Sequence, residues 1–270
     1  MKTYHKVLAI AGTDSGGGAG IPADIKTISA CGCYAECVIS AVTVQNTLGV
    51  SCVHDIPAGI IEAQARAVLT DMGAHAIKIG MLSKTETVNA VAGAITEYGQ
   101  GIPAVLDTVM VSTSGHYLLK PDAIDALMKN LMPTVSIITP NIPEAQVLLG
   151  REISHASCMD DCARELSRIA GNSVLLKGGH LEGVEELTDV FYNAETGKIS
   201  HYPAPRIESR NTHGTGCTMS SAMASFLAMG ASMETAVSEA KQYLHNAIMA
   251  GADYEIGHGH GPVKHFWKFW

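Results

Sequence analysis

Short apolar runs alternate with longer stretches of helical periodicity along this chain, and the alternation limits the folds open to it. Residues 7–11 (VLAIA) and 38–44 (VISAVTV) have strand length, and each is followed by a helical stretch, at 21–31 and 57–72. Strands separated by helices of this length predict βαβ units. We therefore expect an α/β fold with a mostly parallel sheet.

The same alternation continues towards the C-terminal half and then changes. Further strands are predicted at 76–79, 104–106 and 135–138, with helices at about 84–98 and after Pro121. Three short strands at 173–176, 189–192 and 199–202, the last two joined by a turn at 195–198, predict a hairpin at the sheet edge. Two helices, at about 215–227 and 233–250, follow.

Length and charge narrow the class of partner. A chain of 270 residues, 47% of them hydrophobic, is long enough to form one large α/β domain, so we expect a single domain over residues 1–270. The formal charge is −8 and Lys and Arg form no run. Such a surface is not typical of nucleic-acid or membrane binding. A small-molecule partner fits better.

The cysteines and the apolar runs bear on the compartment. Seven cysteines without paired Cys-x-x-Cys spacing do not predict a disulfide framework or a zinc site. His258 and His260 lack a further ligand at convincing spacing, so a glycine-rich loop is the better interpretation there. No signal-peptide pattern and no apolar stretch near ~18 residues is present. We expect a cytoplasmic protein.

The most informative polar segment is the turn at residues 211–217 (NTHGTGC), just before a helix rich in small residues. Glycines let backbone N–H groups converge, and a helix N-terminus carries partial positive charge, so the turn suits a transferring phosphoryl group. The same field should lower the pKa of Cys217 below about 8.5 and make it a base or nucleophile. The alternative is a glycine-rich loop with a buried structural cysteine.

A second glycine-rich loop, residues 12–20, follows the first predicted strand. It has neither the Gly-Lys-Ser/Thr ending of a P-loop nor the Gly-x-Gly-x-x-Gly register of a dinucleotide site. Two interpretations remain: a mobile connection, or a close backbone approach to a flat ligand, with Asp24 about one turn into the next helix.

Polar residues also follow strands in the second half of the chain. Lys177, in the segment KGGH at 177–180, offers a cation to a polyphosphate, although a lysine at a strand end is often simply solvated. Asn141 and Glu144 share one face if a helix begins near Pro143, which suits a hydrated Mg²⁺. Helix capping by Asn141 is the alternative.

Taken together, these segments resemble the hydroxymethylpyrimidine/phosphomethylpyrimidine kinases of thiamine biosynthesis, which belong to the ribokinase-like superfamily. The resemblance covers nearly the whole chain. It rests on AGTD at 11–14, GGAGI at 17–21, ADIKT at 23–27, VQNT at 44–47, KIGML at 78–82, LDTVM at 106–110, TPN at 139–141 with PEA at 143–145, KGGH at 177–180, THGTGC at 212–217, and GHG at 257–259 with GPV at 261–263.

The resemblance implies a three-layer αβα sandwich with ATP along the C-terminal half and a pyrimidine over the first glycine-rich loop. Cysteine at the base position marks the vitamin-kinase branch of the superfamily. The implied catalytic residues are Cys217 as base and Gly214, Thr215 and Gly216 around the phosphoryl charge. The implied nucleotide-binding residues are Lys177, Asn141 and His213, and those that organise Mg²⁺ are Asp107 and Glu144.

The resemblance also implies an acceptor pocket and a reaction in two steps, on the alcohol and then on its monophosphate. The amide of Gln45 offers a donor and an acceptor to an aminopyrimidine edge, which favours that ring over pyridoxal. Thr43 and Pro22 depart from commoner family residues. The positions matching the pocket are Gly12, Ala19, Asp24, Thr43, Gln45, Met81 and Val109.

Two other functions stay open, and one expectation concerns assembly. The same scaffold supports a pyridoxal kinase. A catalytically inactive ligand-binding regulator is the alternative from a different class, although the intact turn at 214–217 and Lys177 argue against it. A homodimer is the family expectation.

Overall fold

A computed structural model describes residues 2–110, 118–179 and 186–270 of the chain. Within these residues strands and helices alternate as the sequence predicts. The strands are β1 (Lys6–Asp14), β2 (Tyr34–Asn46), β3 (Gly49–Asp55), β4 (Ala76–Ile79), β5 (Ala104–Leu106), β6 (Ile137–Ile138), β7 (Ser173–Leu176), β8 (Glu186–Tyr192) and β9 (Ile199–Pro205). The helices are α1 (Gly20–Ala30), α2 (Ala58–Asp71), α3 (Thr85–Tyr98), α4 (Pro121–Ala126), α5 (Ile142–Leu149), α6 (Met159–Ala170), α7 (Thr215–Ala228) and α8 (Met233–Gly251).

The described strands form one sheet in the order β3-β2-β1-β4-β5-β6-β7-β8-β9. Pairing from β2 through β1 and β4 to β7 is parallel, whereas β3, β8 and β9 pair antiparallel at the two edges. The mostly parallel sheet and the β8–β9 hairpin at an edge are therefore confirmed. The second edge hairpin, β2–β3, is not predicted from the sequence.

Alternate residues of the central strand β1 explain the layers. Leu8 and Ile10 pack into a core with helices α2 to α6, while Val7 and Ala9 pack into a second core with α1, α7 and α8. Burial of each large aliphatic side chain contributes roughly 1.5–3 kcal/mol. Helices thus cover both faces, and the predicted three-layer αβα sandwich is confirmed.

Some boundaries differ from those predicted, and two differences affect the site. Strand β1 extends to Asp14 and β2 to Asn46, so Asp14 and Gln45 belong to strand ends rather than to the loops that follow. Helix α6, which ends at Ala170 and is capped by Gly171 with φ of 77°, is not predicted. Among the described residues, no helix is both long enough and apolar enough to cross a bilayer.

Candidate active site

The first glycine-rich loop is organised by one carboxylate. Asp14 Oδ1 accepts a hydrogen bond from the backbone N–H of Gly16 at 2.7 Å, and Oδ2 accepts from Gly18 and Ala19 at 2.9 Å each. Burial raises the pKa of Asp14, but the bonds from His213 and these amides outweigh it, and the net shift is downward. The loop is therefore held in a defined conformation by an ionised side chain.

The turn at residues 212–217 packs directly on that loop. Gly214 has φ of 80° and caps helix α7, and a Cβ atom at this position would overlap the carbonyl oxygen of Gly18. Only glycine allows this conformation and this approach. His213, the residue before it, lies with Nε2 2.9 Å from Asp14 Oδ2. Asp14 and His213, which are 199 residues apart in the chain, thus meet at the carboxyl ends of the strands.

Gln45 lies at the same place, near the end of β2. Its carboxamide is 3.2 Å from His213 Nε2 and 3.1 Å from Thr43 Oγ1. Ser15 holds the backbone, since its hydroxyl accepts from the Gln45 N–H at 2.9 Å and donates to the Gln45 carbonyl at 2.7 Å. The structure brings together the predicted pocket residues Thr43 and Gln45 with His213, which the resemblance places at the nucleotide. That nucleotide assignment stays a prediction.

The remaining predicted pocket residues lie at different depths. A Cβ atom on Gly12 would be 3.1 Å from Sδ of Met81, so these two are neighbours, and Ala19 donates its N–H to Asp14. Val109 follows Asp107 after β5 and donates its N–H to the Asp107 carbonyl at 2.8 Å. The pocket role of these residues stays a prediction.

Asp24 is the pocket prediction whose surroundings are most unexpected. Its carboxylate accepts two hydrogen bonds from Lys78 Nζ, at 2.8 and 2.9 Å, and one from Ser221 Oγ at 2.8 Å. Both side chains of the ion pair are 0% exposed. Burial lowers the pKa of Lys78, but Asp24 outweighs it and the net shift is upward. Asp24 therefore lies in a buried ion pair that connects α1 with β4 and α7. Its direct contact with a ligand stays a prediction.

The thiol of Cys217, in the first turn of α7, has a higher pKa than the sequence predicts. Burial raises the pKa of this thiol to about 11, and the carboxylates of Asp24 and Asp107 raise it as well. The ammonium of Lys78 and the N–H of Gly20 oppose the rise but do not cancel it. The predicted lowering is wrong. The helix N-terminus is present, but burial and two nearby carboxylates disfavour a thiolate more than the helix favours it.

The charged end of the site lies at the ends of β5 and β7. Asp107 Oδ1 accepts from Lys177 Nζ at 3.0 Å and from Thr139 Oγ1 at 3.2 Å. A Cβ atom on Gly216 would be 2.9 Å from Asp107 Oδ2, so this glycine admits the carboxylate to the turn. Burial lowers the pKa of Lys177, but Asp107 and Glu144 outweigh it and the net shift is upward. Lys177 is therefore an ammonium held beside two acids.

Asn141 and Glu144 form the capping arrangement that was the alternative to metal binding. Asn141 Oδ1 accepts from the Glu144 N–H and Glu144 Oε2 accepts from the Asn141 N–H, both at 2.9 Å, at the start of α5. Glu144 Oε2 also accepts from Thr108 Oγ1 at 2.9 Å. Burial raises the pKa of Glu144. The cap orders Glu144 beside Lys177 and Asp107.

Asp107 and Glu144 fit a Mg²⁺ ion that keeps part of its water shell. In the described parts of the chain no three His, Cys, Asp or Glu side chains form a cage for a metal. Mg²⁺ is commonly held by one or two carboxylates together with water and phosphate oxygens. Asp107 and Glu144 supply the two carboxylates of that donor set.

Three residues of the site are missed by sequence analysis. Lys78 carries a signal, because a lysine inside the apolar strand AIKI needs a buried partner. Asp14 and Ser221 carry little signal, since each finds its partner through the fold. His180, in the segment with Lys177, lies outside the described residues.

A glycine-rich turn at a helix N-terminus, beside acids and a lysine at the carboxyl ends of the strands of an αβα sheet, is the arrangement expected of a phosphotransferase. The family model described as phosphomethylpyrimidine kinase matches residues 14–264. The hydroxymethylpyrimidine/phosphomethylpyrimidine kinase of Rhizobium meliloti is 50% identical over 264 residues, which is 97% of each chain.

Two solved structures are similar as well. A phosphomethylpyrimidine kinase from Clostridium difficile is 41% identical, with a TM-score of 0.79 over 90% of this chain and 99% of that one. A pyridoxal kinase of Bacillus subtilis in complex with ADP is 32% identical, with a TM-score of 0.88 over 97% of this chain and 98% of that one. This chain belongs to the phosphomethylpyrimidine kinase family, and it is a kinase.

Proposed function

We propose that this kinase transfers the γ-phosphoryl group of ATP to 4-amino-5-hydroxymethyl-2-methylpyrimidine, and then a second one to the monophosphate, for thiamine biosynthesis. The observation that carries the proposal is the backbone contact between Gly18 and Gly214. It sets the first glycine-rich loop, residues 12–20, against the turn at residues 214–217, which we call the anion turn. A ring on the loop then has its hydroxymethyl group beside the transferring phosphoryl group. Such proximity is a large part of catalysis in phosphoryl transfer.

The anion turn stabilises the transferred group. The first N–H groups of a helix lack intrahelical partners, and Thr215, Gly216 and Cys217 occupy these positions in the 14-residue helix α7. They direct partial positive charge to the place where phosphoryl oxygens gain charge. Lys177 adds a full charge and neutralises part of the polyphosphate of ATP.

Cys217 is the proposed base for the alcohol step. With a pKa of about 11, roughly one thiol in 10⁴ is ionised at pH 7, which follows from the difference of four units. The positive charge of Lys78 stabilises the ionised form of the thiol. The monophosphate presents an oxygen that is already anionic, so the second transfer depends less on this thiol.

Asp107 and Glu144 would hold a hydrated Mg²⁺ that neutralises charge on the ATP phosphates when it is bound. Asn141 orders Glu144 through the cap at the start of α5, and it lies next to Lys177 across a short parallel bridge. We assign Asn141 and His213 to the nucleotide side as the resemblance implies. For His213 the contact with Gln45 also supports a role at the acceptor.

The proposal extends to a cytoplasmic homodimer of single-domain subunits. One continuous sheet from β3 to β9 supports a single domain. The β2–β3 edge exposes apolar side chains, Val44 at 57% and Leu48 at 66%, which supports an interface at this edge.

The substrate proposal is tested by mass spectrometry of products formed from ATP and the hydroxymethylpyrimidine. We expect the monophosphate first and the diphosphate later, with ADP released at each step. The competing candidate is pyridoxal, because a pyridoxal kinase is among the similar structures. A higher kcat/KM for pyridoxal than for the pyrimidine would overturn the choice of acceptor, and no ADP with either would favour a binding regulator.

The role of Cys217 is tested by Cys217→Ala, with Cys217→Ser as the matched control of size. We expect the alcohol step to slow by roughly 10²–10⁴-fold and the monophosphate step to slow much less. Because the ionised thiol is the base, the wild-type rate of the alcohol step should rise between pH 7 and 9, and this rise should vanish in the alanine variant. Equal losses in both steps would remove the special role of the thiol.

A further inference from the structure

The orientation of the Gln45 carboxamide decides what this side chain presents to a ligand. As placed, its nitrogen lies 3.2 Å from His213 Nε2 and its oxygen lies 3.1 Å from Thr43 Oγ1. A half-turn of the group exchanges the two atoms at almost the same positions, so the partners at each end determine which atom lies where. Both partners are themselves constrained.

Asp14 fixes the proton on His213. Its Oδ2 accepts from the backbone N–H groups of Gly18 and Ala19 and lies 2.9 Å from His213 Nε2. The net downward shift of the Asp14 pKa, in which bonds from His213 and the loop amides outweigh burial, keeps it a carboxylate, which only accepts. Nε2 therefore carries the hydrogen. This single hydrogen is donated to Asp14 or shared between Asp14 and Gln45, and in both cases an NH₂ group of Gln45 facing the protonated Nε2 is repelled. The carboxamide oxygen therefore lies on this side.

Thr13 fixes the proton on Thr43. Thr43 Oγ1 lies 2.7 Å from the carbonyl oxygen of Thr13, which only accepts, and this contact is shorter than the one to Gln45. The single hydroxyl hydrogen of Thr43 is therefore donated to Thr13. Towards Gln45 the oxygen of Thr43 offers lone pairs, and their partner is the carboxamide NH₂ group. The two ends thus require the same orientation, independently of each other.

We propose that Thr43 and His213 lock the Gln45 carboxamide with its oxygen towards His213 and its NH₂ group towards Thr43, and that this order selects the acceptor ring. The inference rests on the proposed function. Each end of the carboxamide keeps one hydrogen-bonding position for a ligand: a lone pair on the oxygen and one N–H on the nitrogen. Ser15 fixes the backbone from which the side chain extends, because it bonds both backbone groups of Gln45.

A locked carboxamide distinguishes two rings of the same shape. In the aminopyrimidine, the exocyclic amino group donates to the carboxamide oxygen, and the neighbouring unprotonated ring nitrogen accepts from the carboxamide NH₂ group. The 4-oxo analogue presents a carbonyl beside a ring N–H, which is the reverse order, so both contacts become repulsive. A site built to pair polar groups rejects a mismatched analogue strongly, because its own groups lose their partners. Thr43 is thus a positioning residue for specificity, acting through Gln45.

The test compares kcat/KM for the aminopyrimidine and for its 4-oxo analogue in the wild type, in Thr43→Val and in Thr43→Ser. Valine keeps the shape and removes the lone pairs, so the carboxamide is free to turn. We expect the amino-to-oxo ratio to fall roughly tenfold or more in the valine variant and to stay within about twofold of wild type in the serine variant. The KM for ATP should not change in either.

Two failures are distinguishable. If the wild type forms no ADP with the aminopyrimidine, the proposed function fails. If the wild type is active but Thr43→Val lowers kcat/KM for both rings by the same factor, the lock is overturned and Thr43 only supports the loop. Thr43→Ala removes the same lone pairs without a branched side chain, and it carries the test if the valine variant is insoluble.

Discussion

The buried acids at the carboxyl ends of the strands differ in their hydrogen-bond partners from Glu36, a buried acid near the amino end of β2. Asp24 has an ammonium and a hydroxyl within 2.9 Å, and Asp107 has Lys177 and Thr139. Glu36, near the start of β2, is only 4% exposed, and neither of its carboxylate oxygens has a hydrogen-bond partner among the described residues. Burial raises its pKa to about 7, although Lys6 opposes the rise.

The difference shows two ways in which a fold tolerates a buried acid. At the site a lysine or several N–H groups compensate a buried acid for lost hydration, and at Asp14 these bonds lower the net pKa, so that this carboxylate stays ionised. Glu36 has no such compensation, so its pKa rises and it keeps its proton at pH values below about 7. The site thus surrounds its acids with hydrogen-bond donors, whereas Glu36 has none among the described residues.

The largest expected effect comes from Lys78→Met, which removes both ammonium contacts of the buried Asp24 and leaves it the hydroxyl of Ser221. Removing one partner of a buried ion pair costs about 3–5 kcal/mol in the free energy of unfolding. We expect a loss of this size by urea denaturation at pH 7. The double variant Asp24→Asn/Lys78→Met should recover part of it, because no uncompensated charge remains.

Lys129→Met is the matched control for that change. Lys129 forms an ion pair with Asp125 on the surface, where the two side chains are 72% and 75% exposed. Its loss should cost less than about 1 kcal/mol. If Lys78→Met costs no more than this control, the buried pair does not stabilise the site as inferred.

The sequence predicts the alternation of strands and helices well because each element carries its own period, as in residues 7–11 and 38–44. It does not predict β3, since this edge strand has several exposed residues and little apolar pattern. At the site, the turn at 214–217 is evident from its glycines. The thiol pKa and the Asp24–Lys78 pair are not, because they depend on residues 54 or more positions apart.

An intermediate effect is expected from Glu36→Gln, which removes the unpartnered acid. The folded-state pKa of about 7 exceeds the usual 4.5, so the folded state binds more protons between these values and wild-type stability falls as pH rises through them. The difference of 2.5 units corresponds to roughly 3 kcal/mol. The variant should lack this fall when unfolding is measured from pH 4 to 8.

Glu62→Gln, on the exposed side of α2, controls for the loss of a surface charge. It should leave the wild-type fall in stability in place. If Glu36→Gln shows the same pH dependence as this control, Glu36 is ionised in the folded protein and the contrast with the site acids is lost.

The smallest effect is expected from Gln45→Ala, which removes a neutral partner and leaves no buried charge without compensation. The KM for the pyrimidine should rise about tenfold, in line with one or two hydrogen bonds, while the KM for ATP and the free energy of unfolding stay nearly unchanged. Steady-state kinetics with each substrate varied in turn measures this. An unchanged pyrimidine KM would place the ring elsewhere.

The contact of Gly18 with Gly214 also has a consequence for inhibitor design. Two backbones that touch without side chains between them leave no room for a long spacer, so a single small compound spans both halves of the site. A pyrimidine linked through one or two atoms to a phosphonate would bind its second group at high effective concentration once the first is bound. Its affinity should exceed that of either fragment by orders of magnitude, and lengthening the spacer should weaken it.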